Sequence, residues 1–212
     1  MRDGDFALRI FLPCFFVAYI LILYTFNVAS FRKKYGIDPR VVAKSDPIME
    51  LGEKYRNIIF AVILLMVFSC AIHPALHTHL GVIPFLDAPM VHLAGAVTLL
   101  GSLVLVRLSQ HQLKSSWRIG LDRAGVPTEL ITTGVYARSR NPIYLGMTIT
   151  GVGLLLALPN AVSFALANLT FLLLEVRIRV EEEYLTTTHG AAYAAYHRST
   201  PRWLLRIGSR HA

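Results

Sequence analysis

The sequence predicts an all-α integral membrane protein with about five transmembrane helices. Of its 212 residues, 54% are hydrophobic and only 16% are charged, and the mean hydropathy of +0.51 is high for a soluble domain of this length. Five apolar stretches approach the roughly 20 residues that a helix needs to cross about 30 Å of hydrocarbon. The pattern predicts one membrane-embedded domain over 1–212.

The predicted spans are joined by links of very different length. The N-terminal stretch turns apolar without a small-residue cleavage site, which indicates a retained first span instead of a signal peptide. Leu158, Pro159 and Asn160 form so short a link that the last two spans must be an antiparallel hairpin, and Asn160 is predicted to cap the fifth helix. The spans cover residues 6–29, 57–73, 90–111, 142–158 and 160–179.

Basic residues divide the connecting segments into two groups. Segments 31–56, 113–140 and 177–212 carry seven, five and six Lys or Arg, whereas 74–89 and 159–160 carry none. The positive-inside rule places the three basic segments in the cytoplasm and the N-terminus outside. Membrane topology and contact with anionic lipid headgroups explain the net charge of +8, and no nucleic-acid partner is expected.

A polar turn, GVYARSRNPIYLG, precedes the fourth span. Asn141 and Pro142 predict a helix start, since proline in the first turn loses no needed hydrogen bond and asparagine can cap the amide groups behind it. Those amides and the helix dipole favour an anion such as a carboxylate. Tyr136 and Tyr144 flank the turn with aromatic faces suited to an adenine or a cation. The simpler alternative is an ordinary cap with tyrosines at the membrane interface.

The fifth helix becomes charged without a glycine or proline to end it. About 43 Å of continuous helix is therefore predicted over 160–188. Glu175 with Arg179, and Arg177 with Glu181, are four residues apart, which predicts ion pairs along one face. Ionisable groups at a membrane boundary usually face a cavity or a partner, so a functional face is the alternative to ordinary pairing.

Both polar motifs fall at the cytoplasmic ends of neighbouring predicted helices. A polar pocket at that membrane edge suits a charged soluble cofactor. The loop 113–140 is predicted to be ordered and to contain short extended pieces. A gap between the helices would admit a lipophilic substrate. This geometry predicts an enzyme.

At these residues the chain resembles the isoprenylcysteine carboxyl methyltransferase family and the wider group of phospholipid-methyltransferase-like membrane enzymes. The matching features are TELITTGVYARSRNPIYLG, the pattern R-x-x-x-E-E-x-x-L-x-x-x-x-G-x-x-Y-x-x-Y from Arg177, and a terminal Thr-Pro-Arg-Trp, within a catalytic part of about 113–204. The resemblance implies an S-adenosylmethionine-dependent methyltransferase with a lipophilic acceptor, such as the carboxylate of a prenylated cysteine. It implies that the cytoplasmic loop 113–140 caps the cofactor pocket. It also implies a bacterial inner-membrane protein whose active site faces the cytoplasm.

The resemblance also implies roles for single residues. Arg177 is expected to orient the substrate carboxylate. The family's eukaryotic motif has Arg-His-Pro where this chain has Arg140, Asn141 and Pro142, and asparagine cannot titrate, which excludes proton transfer there. An amine or thiol acceptor would need a base, with Glu181, Glu182 or Glu183 as the candidate, whereas a carboxylate would not. The expected cofactor contacts are Glu129, Leu130, Ile131, Tyr136, Asn141, Pro142, Ile143, Tyr144, Glu181 and Glu182.

Two other functions stay open at the level of sequence. One is an NADPH-dependent membrane reductase of the steroid or sterol reductase type, which would need more basic residues at the pocket than Arg138, Arg140 and Arg177. The other is a non-enzymatic accessory protein in transport or resistance. Binding of S-adenosylhomocysteine, of NADPH or of neither distinguishes the three.

Two further groups of residues are assigned no catalytic role. Gly146, Gly151 and Gly153 are predicted to allow close helix packing, because no strand precedes them as in a nucleotide-binding glycine loop. His73 and His77 have a helical spacing, but Pro74 interrupts them, and no metal site is expected.

Overall fold

The computed structural model describes residues 4–40, 47–120 and 128–204. Within these ranges the chain is helical and contains no β-strand, which confirms the predicted all-α membrane class. The elements are α1 (Gly4–Ile20), a π-helical turn (Leu21–Phe26), α2 (Asn27–Tyr35), α3 (Pro47–Ile72), α4 (Leu76–His79), α5 (Pro89–Gln112), α6 (Pro142–Ala157) and α7 (Ala161–Ser199), with 3₁₀ turns at Lys114–Ser116 and Gly134–Ala137.

Among the described residues, four helices are long and apolar enough to cross a membrane. The predicted fourth span corresponds to α6, which is apolar but has only 16 residues and measures about 24 Å. Pro142 begins this helix and Pro159 follows its end, so the two prolines set its length. The four long helices are Phe6–Tyr35, Pro47–Ile72, Pro89–Gln112 and Ala161–Ser199.

The core lies where the first span, α3, α5 and α6 meet, and α5 and α6 have the most extensive contact. Large apolar side chains at helical spacing on α1 face this core. Other apolar side chains, such as Leu65 and Ile72, point outward and are 68% exposed, as expected of helices that face lipid. The buried core consists of Leu12, Phe15, Phe16, Tyr19, Leu23, Ile63, Met66, Val67, Cys70, Leu99, Val106, Leu154, Ala157, Leu158 and Leu166.

The glycines of α6 allow its neighbours to approach closely, as predicted. A Cβ atom on Gly146 would lie 2.4 Å from Cγ2 of Val106, and one on Gly153 would lie 2.9 Å from Cγ of Leu99, both on α5. Gly151 faces α7 on the other side. The small residues therefore place α6 between α5 and α7.

The predicted hairpin of the last two spans is confirmed. The Ser163 amide donates to Oδ1 of Asn160 at 2.9 Å, and the Asn160 amide donates to Oγ of Ser163 at 3.2 Å. This reciprocal pair satisfies two amides that α7 would otherwise leave without a partner, so Asn160 caps the helix as expected.

Hydrogen bonds between the connecting segments group them in the same way as their charge does, with the basic segments together and the links without Lys or Arg together. Backbone hydrogen bonds of 2.8 and 2.9 Å join the first basic segment to the second and the second to the third. At the other end of the helices, a bond of 3.0 Å joins the two links that carry no Lys or Arg. The three donor and acceptor pairs are Ile119 to Pro39, Arg140 to Pro201, and Ile83 to Pro159.

Helix α7 continues through its charged half as predicted and changes direction at Gly190. There φ is 51° and ψ is −121°, a conformation that glycine adopts without a steric penalty. Beyond this kink Tyr193 and Tyr196 are buried, and the Tyr196 hydroxyl donates to the Tyr136 carbonyl at 2.6 Å. The kink thus brings the end of α7 onto the second 3₁₀ turn.

The predicted loop 113–140 is partly described. Its described parts contain the two 3₁₀ turns and one isolated parallel bridge between Arg40 and Ile119, while residues 121–127 lie outside the described residues. Gln112 at the end of α5 holds the second turn, because its Oε1 accepts the Val135 amide at 2.8 Å.

Replacing Gly95 with alanine is expected to destabilise the protein. A Cβ atom there would lie 2.3 Å from the Ala157 amide nitrogen, and a backbone atom cannot rotate away, so α5 and α6 would have to separate. Overpacking of this kind costs about 1–3 kcal/mol, or roughly 2–12 °C in Tm, which thermal unfolding in detergent would measure. Gly101→Ala on the same helix is the control, since no described atom outside the adjacent turns of its own helix lies within 4 Å of its Cβ position. Equal Tm values for the two variants would contradict this close approach.

Candidate active site

A cavity of about 220 Å³ lies among α1, α3, α6, α7 and the loop 113–140. Its wall changes character along the helices. On α6 the lining begins with Asn141 and Tyr144 and ends at Leu154, about 15 Å further along the helix than Tyr144. On α3 it begins with Arg56 and ends at Ile63. The cavity therefore has a polar part near the basic segments and an apolar part that extends among the spans.

Most of the predicted site residues line this cavity. Glu182 is the exception, because it lies outside the lining that the described residues form. The predicted residues that line it are Glu129, Leu130, Ile131, Tyr136, Asn141, Pro142, Ile143, Tyr144, Arg177 and Glu181.

Arg177 is buried in the polar part, with 7% of its surface exposed. Its Nη1 forms an ion pair with Oε1 of Glu53 on α3, and the other oxygen of Glu53 pairs with Arg56. The predicted ion pair of Arg177 with Glu181 is therefore wrong. A buried carboxylate requires a cationic partner, and the packing of α3 against α7 places Glu53 beside Arg177.

The other predicted ion pair along α7 is also wrong. Glu175 pairs with Nη1 of Arg202 at 3.4 Å, while Arg179 is exposed on the helix. The partner comes from the C-terminal segment, which the kink at Gly190 brings back toward α7. Local spacing therefore does not determine the partners of the charged residues here.

Glu181 accepts a hydrogen bond from the Tyr144 hydroxyl at 2.7 Å. Tyr144 also interacts electrostatically with Arg177, so these three side chains from α6 and α7 form one polar cluster on the cavity wall. The cluster contains an anionic acceptor, a phenol and a guanidinium within one site. Such a set offers both a hydrogen-bond acceptor and donors to ligands in the cavity.

Asn141 does not cap α6 as predicted, although Pro142 occupies the expected first position. Among the described residues its side chain accepts no bond from the first turn of the helix. The backbone amide of Asn141 donates to Oγ of Ser139 at 3.1 Å. Its side-chain amide instead donates from Nδ2 to Oε1 of Glu182 at 3.4 Å. The buried carboxylate of Glu182 competes for this amide because it needs donors.

Glu182 is the centre of a second buried ion cluster. Its Oε1 accepts from Nη2 of Arg140 at 2.8 Å, and its Oε2 accepts from Nη2 of Arg202 at 2.5 Å. Arg140 also donates to the Thr200 carbonyl at 2.6 Å. The hydrogen bond with Glu182 raises the pKa of Arg202, which remains charged. This cluster fastens the C-terminal segment to the turn that precedes α6.

Tyr136 connects the second 3₁₀ turn to the cavity. Its hydroxyl donates to the Ser109 carbonyl at 3.4 Å, and its ring is buried. Burial, together with the nearby Glu181 charge, raises the pKa of Tyr136 well above its ordinary value. The phenol is therefore neutral at physiological pH and can donate but not act as a base.

Sequence reasoning missed three polar cavity residues before α4 and the carboxylate that pairs with two of the cavity arginines. Tyr19 and Tyr24 on the first span, and Arg56 on α3, line the cavity, and Glu53 pairs with two of its arginines. An acidic residue at the boundary of a span is a detectable signal for Glu53. The sequence contains no signal for the pairing of Glu53 with Arg177, because the two residues lie 124 positions apart.

Two comparisons with known proteins bear on this site. Residues 90–192 match the model of a family described as phospholipid methyltransferase. The chain is also 37% identical over 73 residues to a protein-S-isoprenylcysteine O-methyltransferase from Schizosaccharomyces pombe, a match that covers 34% of this chain and 31% of the relative. The family resemblance predicted from the sequence is thus confirmed.

The matched region begins at α5 and includes most of the polar cavity wall. The chain spans about a third of the length of the curated relative it matches. No solved structure matches the chain significantly.

Replacing Glu182 with alanine is expected to destabilise the folded protein. The change leaves Arg140 buried without a carboxylate partner, and removing one member of a buried pair costs about 3–5 kcal/mol. Thermal unfolding of the purified protein would measure this loss. Glu183→Ala removes the same charge from the exposed neighbouring position and should change stability by less than about 0.5 kcal/mol. If the two variants unfold at the same temperature, the ion cluster does not stabilise the fold.

Proposed function

We propose that this chain, which resembles the phospholipid methyltransferase family, is an integral membrane methyltransferase that uses S-adenosylmethionine and methylates a lipophilic acceptor. The observation that carries the proposal is the shape of the cavity. The polar part and the apolar part of the cavity adjoin near Arg177, so one cavity can bind both a charged methyl donor and a lipophilic acceptor.

The polar part of the cavity fits S-adenosylmethionine by its set of donors and acceptors. Glu181 and Glu129 offer carboxylates to amine and ribose hydroxyl groups, while Tyr136, Leu130 and Ile131 offer aromatic and apolar surface to an adenine. When bound, S-adenosylmethionine supplies a methyl group on a cationic sulfur, whose carbon–sulfur bond breaks as the acceptor oxygen bonds the methyl carbon.

Arg177 binds and orients the acceptor. A carboxylate is ionised at neutral pH, so its oxygen is already nucleophilic and the residues of this site need not remove a proton. The planar guanidinium pairs with a carboxylate in a fixed orientation, and correct orientation lowers the barrier of a two-reactant step by several kcal/mol. The guanidinium carries five N–H donors on three nitrogens, and the contact with Glu53 uses Nη1, so other donors are left for an acceptor.

Glu53 and Glu182 keep other site residues in position. Glu53 fixes the orientation of Arg177 from α3, and Glu182 fixes Asn141 and Arg140 at the start of α6. We assign Glu182 this positioning role in place of the cofactor contact that the resemblance implies.

The apolar part of the cavity accommodates the hydrophobic portion of the acceptor. Phe60 and Ile63 of α3 and Leu173 of α7 contribute to its wall. A prenyl chain bonded to a cysteine has this chemistry, with an apolar chain on one side and a carboxylate on the other. The basic segments at the polar end support a cytoplasmic orientation of that end by the positive-inside rule, and we propose a bacterial inner membrane as the location.

The NADPH-dependent reductase is not favoured. Four arginines line the described cavity wall, and three of them, Arg56, Arg140 and Arg177, are already paired with carboxylates. The fourth, Arg118, donates to the Ser115 carbonyl at 2.7 Å. Two carboxylates thus share three of the four arginines, which leaves little net positive charge for a ligand with several phosphate groups.

Calorimetric titration of the detergent-solubilised protein distinguishes the possible functions. We expect S-adenosylhomocysteine to bind and NADPH not to bind, because the polar part of the cavity has a nearly balanced charge. Binding of NADPH alone would support a reductase, and binding of neither ligand would support a non-enzymatic role.

Substitution of Arg177 and of Glu181 should separate acceptor binding from cofactor binding. Arg177→Ala should lower kcat/KM for N-acetyl-S-farnesylcysteine by about 10-fold or more, since a charged hydrogen bond contributes about 1.5–3 kcal/mol. It should leave S-adenosylhomocysteine binding intact, and Glu53 keeps Arg56 as its partner. Glu181→Ala should lose both methyl transfer and S-adenosylhomocysteine binding.

Arg179→Ala is the matched control, because Arg179 is exposed on the same helix and does not contribute to the described cavity wall. Methyl transfer is followed with radiolabelled S-adenosylmethionine. Full turnover by Arg177→Ala would refute the assigned role of this arginine.

A further inference from the structure

The first span contains a π-helical turn, Leu21–Phe26, between α1 and α2. Such turns are rare and are frequently found at functional sites, because they leave a backbone carbonyl without its usual helical partner. Here Gln110 of α5, which is 6% exposed, donates from Nε2 to the Leu23 carbonyl at 3.3 Å. Its Oε1 accepts from Nδ2 of Asn27 at 3.0 Å. A buried side chain from another helix therefore stabilises the turn.

The π turn brings Tyr24 to the cavity wall. In a regular α-helix, residues five positions apart point about 140° away from each other. Tyr19 and Tyr24 are five apart, and both line the cavity because the turn contains wider backbone rings. The conformation of the first span thus adds a second phenol to the site.

The Tyr24 hydroxyl is buried and has no hydrogen-bond partner among the residues that the structure describes. Buried polar groups are nearly always satisfied, and leaving one unpaired costs about 1–3 kcal/mol. A hydroxyl on a cavity wall is satisfied when a ligand with an acceptor atom enters. The orphan hydroxyl therefore points to a ligand atom.

The neighbours of Tyr24 determine what kind of atom fits. The Arg56 guanidinium lies over the Tyr24 ring, 5.1 Å from its centroid, and pairs with Glu53, which also pairs with Arg177. The two guanidinium groups face two carboxylates, since Glu181 also interacts electrostatically with Arg177. No excess positive charge is left for a second anionic group beside the acceptor carboxylate, so a ligand group at Tyr24 should be neutral.

We infer that Tyr24 donates a hydrogen bond to a neutral oxygen of the acceptor, the carbonyl of an amide next to the methylated carboxylate. This inference rests on the proposed function. It makes Tyr24 a residue that determines specificity, since an acceptor without the amide would leave the hydroxyl unpaired. A second polar contact would also fix the direction in which the acceptor enters the cavity.

Two acceptors that differ only in the amide test the inference. N-acetyl-S-farnesylcysteine carries a carboxylate and an amide carbonyl, whereas S-farnesyl-3-mercaptopropionate carries the carboxylate alone. The Kd of each is measured by calorimetry, and the KM of each by methyl transfer, for the wild type, Tyr24→Phe and Tyr55→Phe. Tyr55 is a matched control, because it lies on α3 with 52% of its surface exposed and is not part of the described cavity wall.

The wild type should bind the amide acceptor about 2- to 10-fold more tightly, the contribution of a neutral hydrogen bond. Tyr24→Phe should abolish this preference by weakening the amide acceptor alone, and Tyr55→Phe should retain it. The Tm of Tyr24→Phe should not fall, since the variant removes an unsatisfied hydroxyl.

Two results would overturn the inference in different ways. If Tyr24→Phe keeps the wild-type ratio of Kd values while both acceptors are methylated, Tyr24 does not contact the amide and the proposed function stands. If neither acceptor binds to the wild type, the proposed acceptor class fails and the role of Tyr24 fails with it.

Discussion

The pairing of buried charge is the constraint on which the site depends. Transfer of an ionised group from water into a protein core between membrane spans is costly unless a partner compensates it. Glu53 and Glu182 each pair with two arginines, and at least one pair of each carboxylate joins elements that are distant in sequence. One cluster joins α3 to α7, and the other joins the C-terminal segment to the start of α6. The position of α7 relative to its neighbours follows from these two clusters together with the packing of small residues.

Features that depend on local sequence could be predicted. The apolar runs identify the helices, and the short link at Pro159 requires the hairpin. Asn160 followed by Ser163 forms the cap because both partners lie within one turn. The charge of each connecting segment also groups the loops correctly, since that grouping requires only composition. The resemblance to known methyltransferases identified many residues that line one cavity.

Features that depend on tertiary packing could not be predicted. The four-residue spacing of Arg177 and Glu181 suggested an ion pair, but Tyr144 and Glu53 approach from other helices and take their places. Asn141 has the sequence of a cap, yet a buried carboxylate attracts its side chain. The π turn in the first span has no sequence signature, because its stabilising partner is on α5.

The kink at Gly190 has a consequence for the order in which the molecule is assembled. Arg202 completes the environment of Glu182 and lies 62 positions after Arg140, the other arginine of that cluster. During synthesis every described span emerges from the ribosome before this contact can form. The turn at the start of α6 therefore remains incompletely attached until the segment after α7 folds back, so this contact is completed late in the assembly of the described helices.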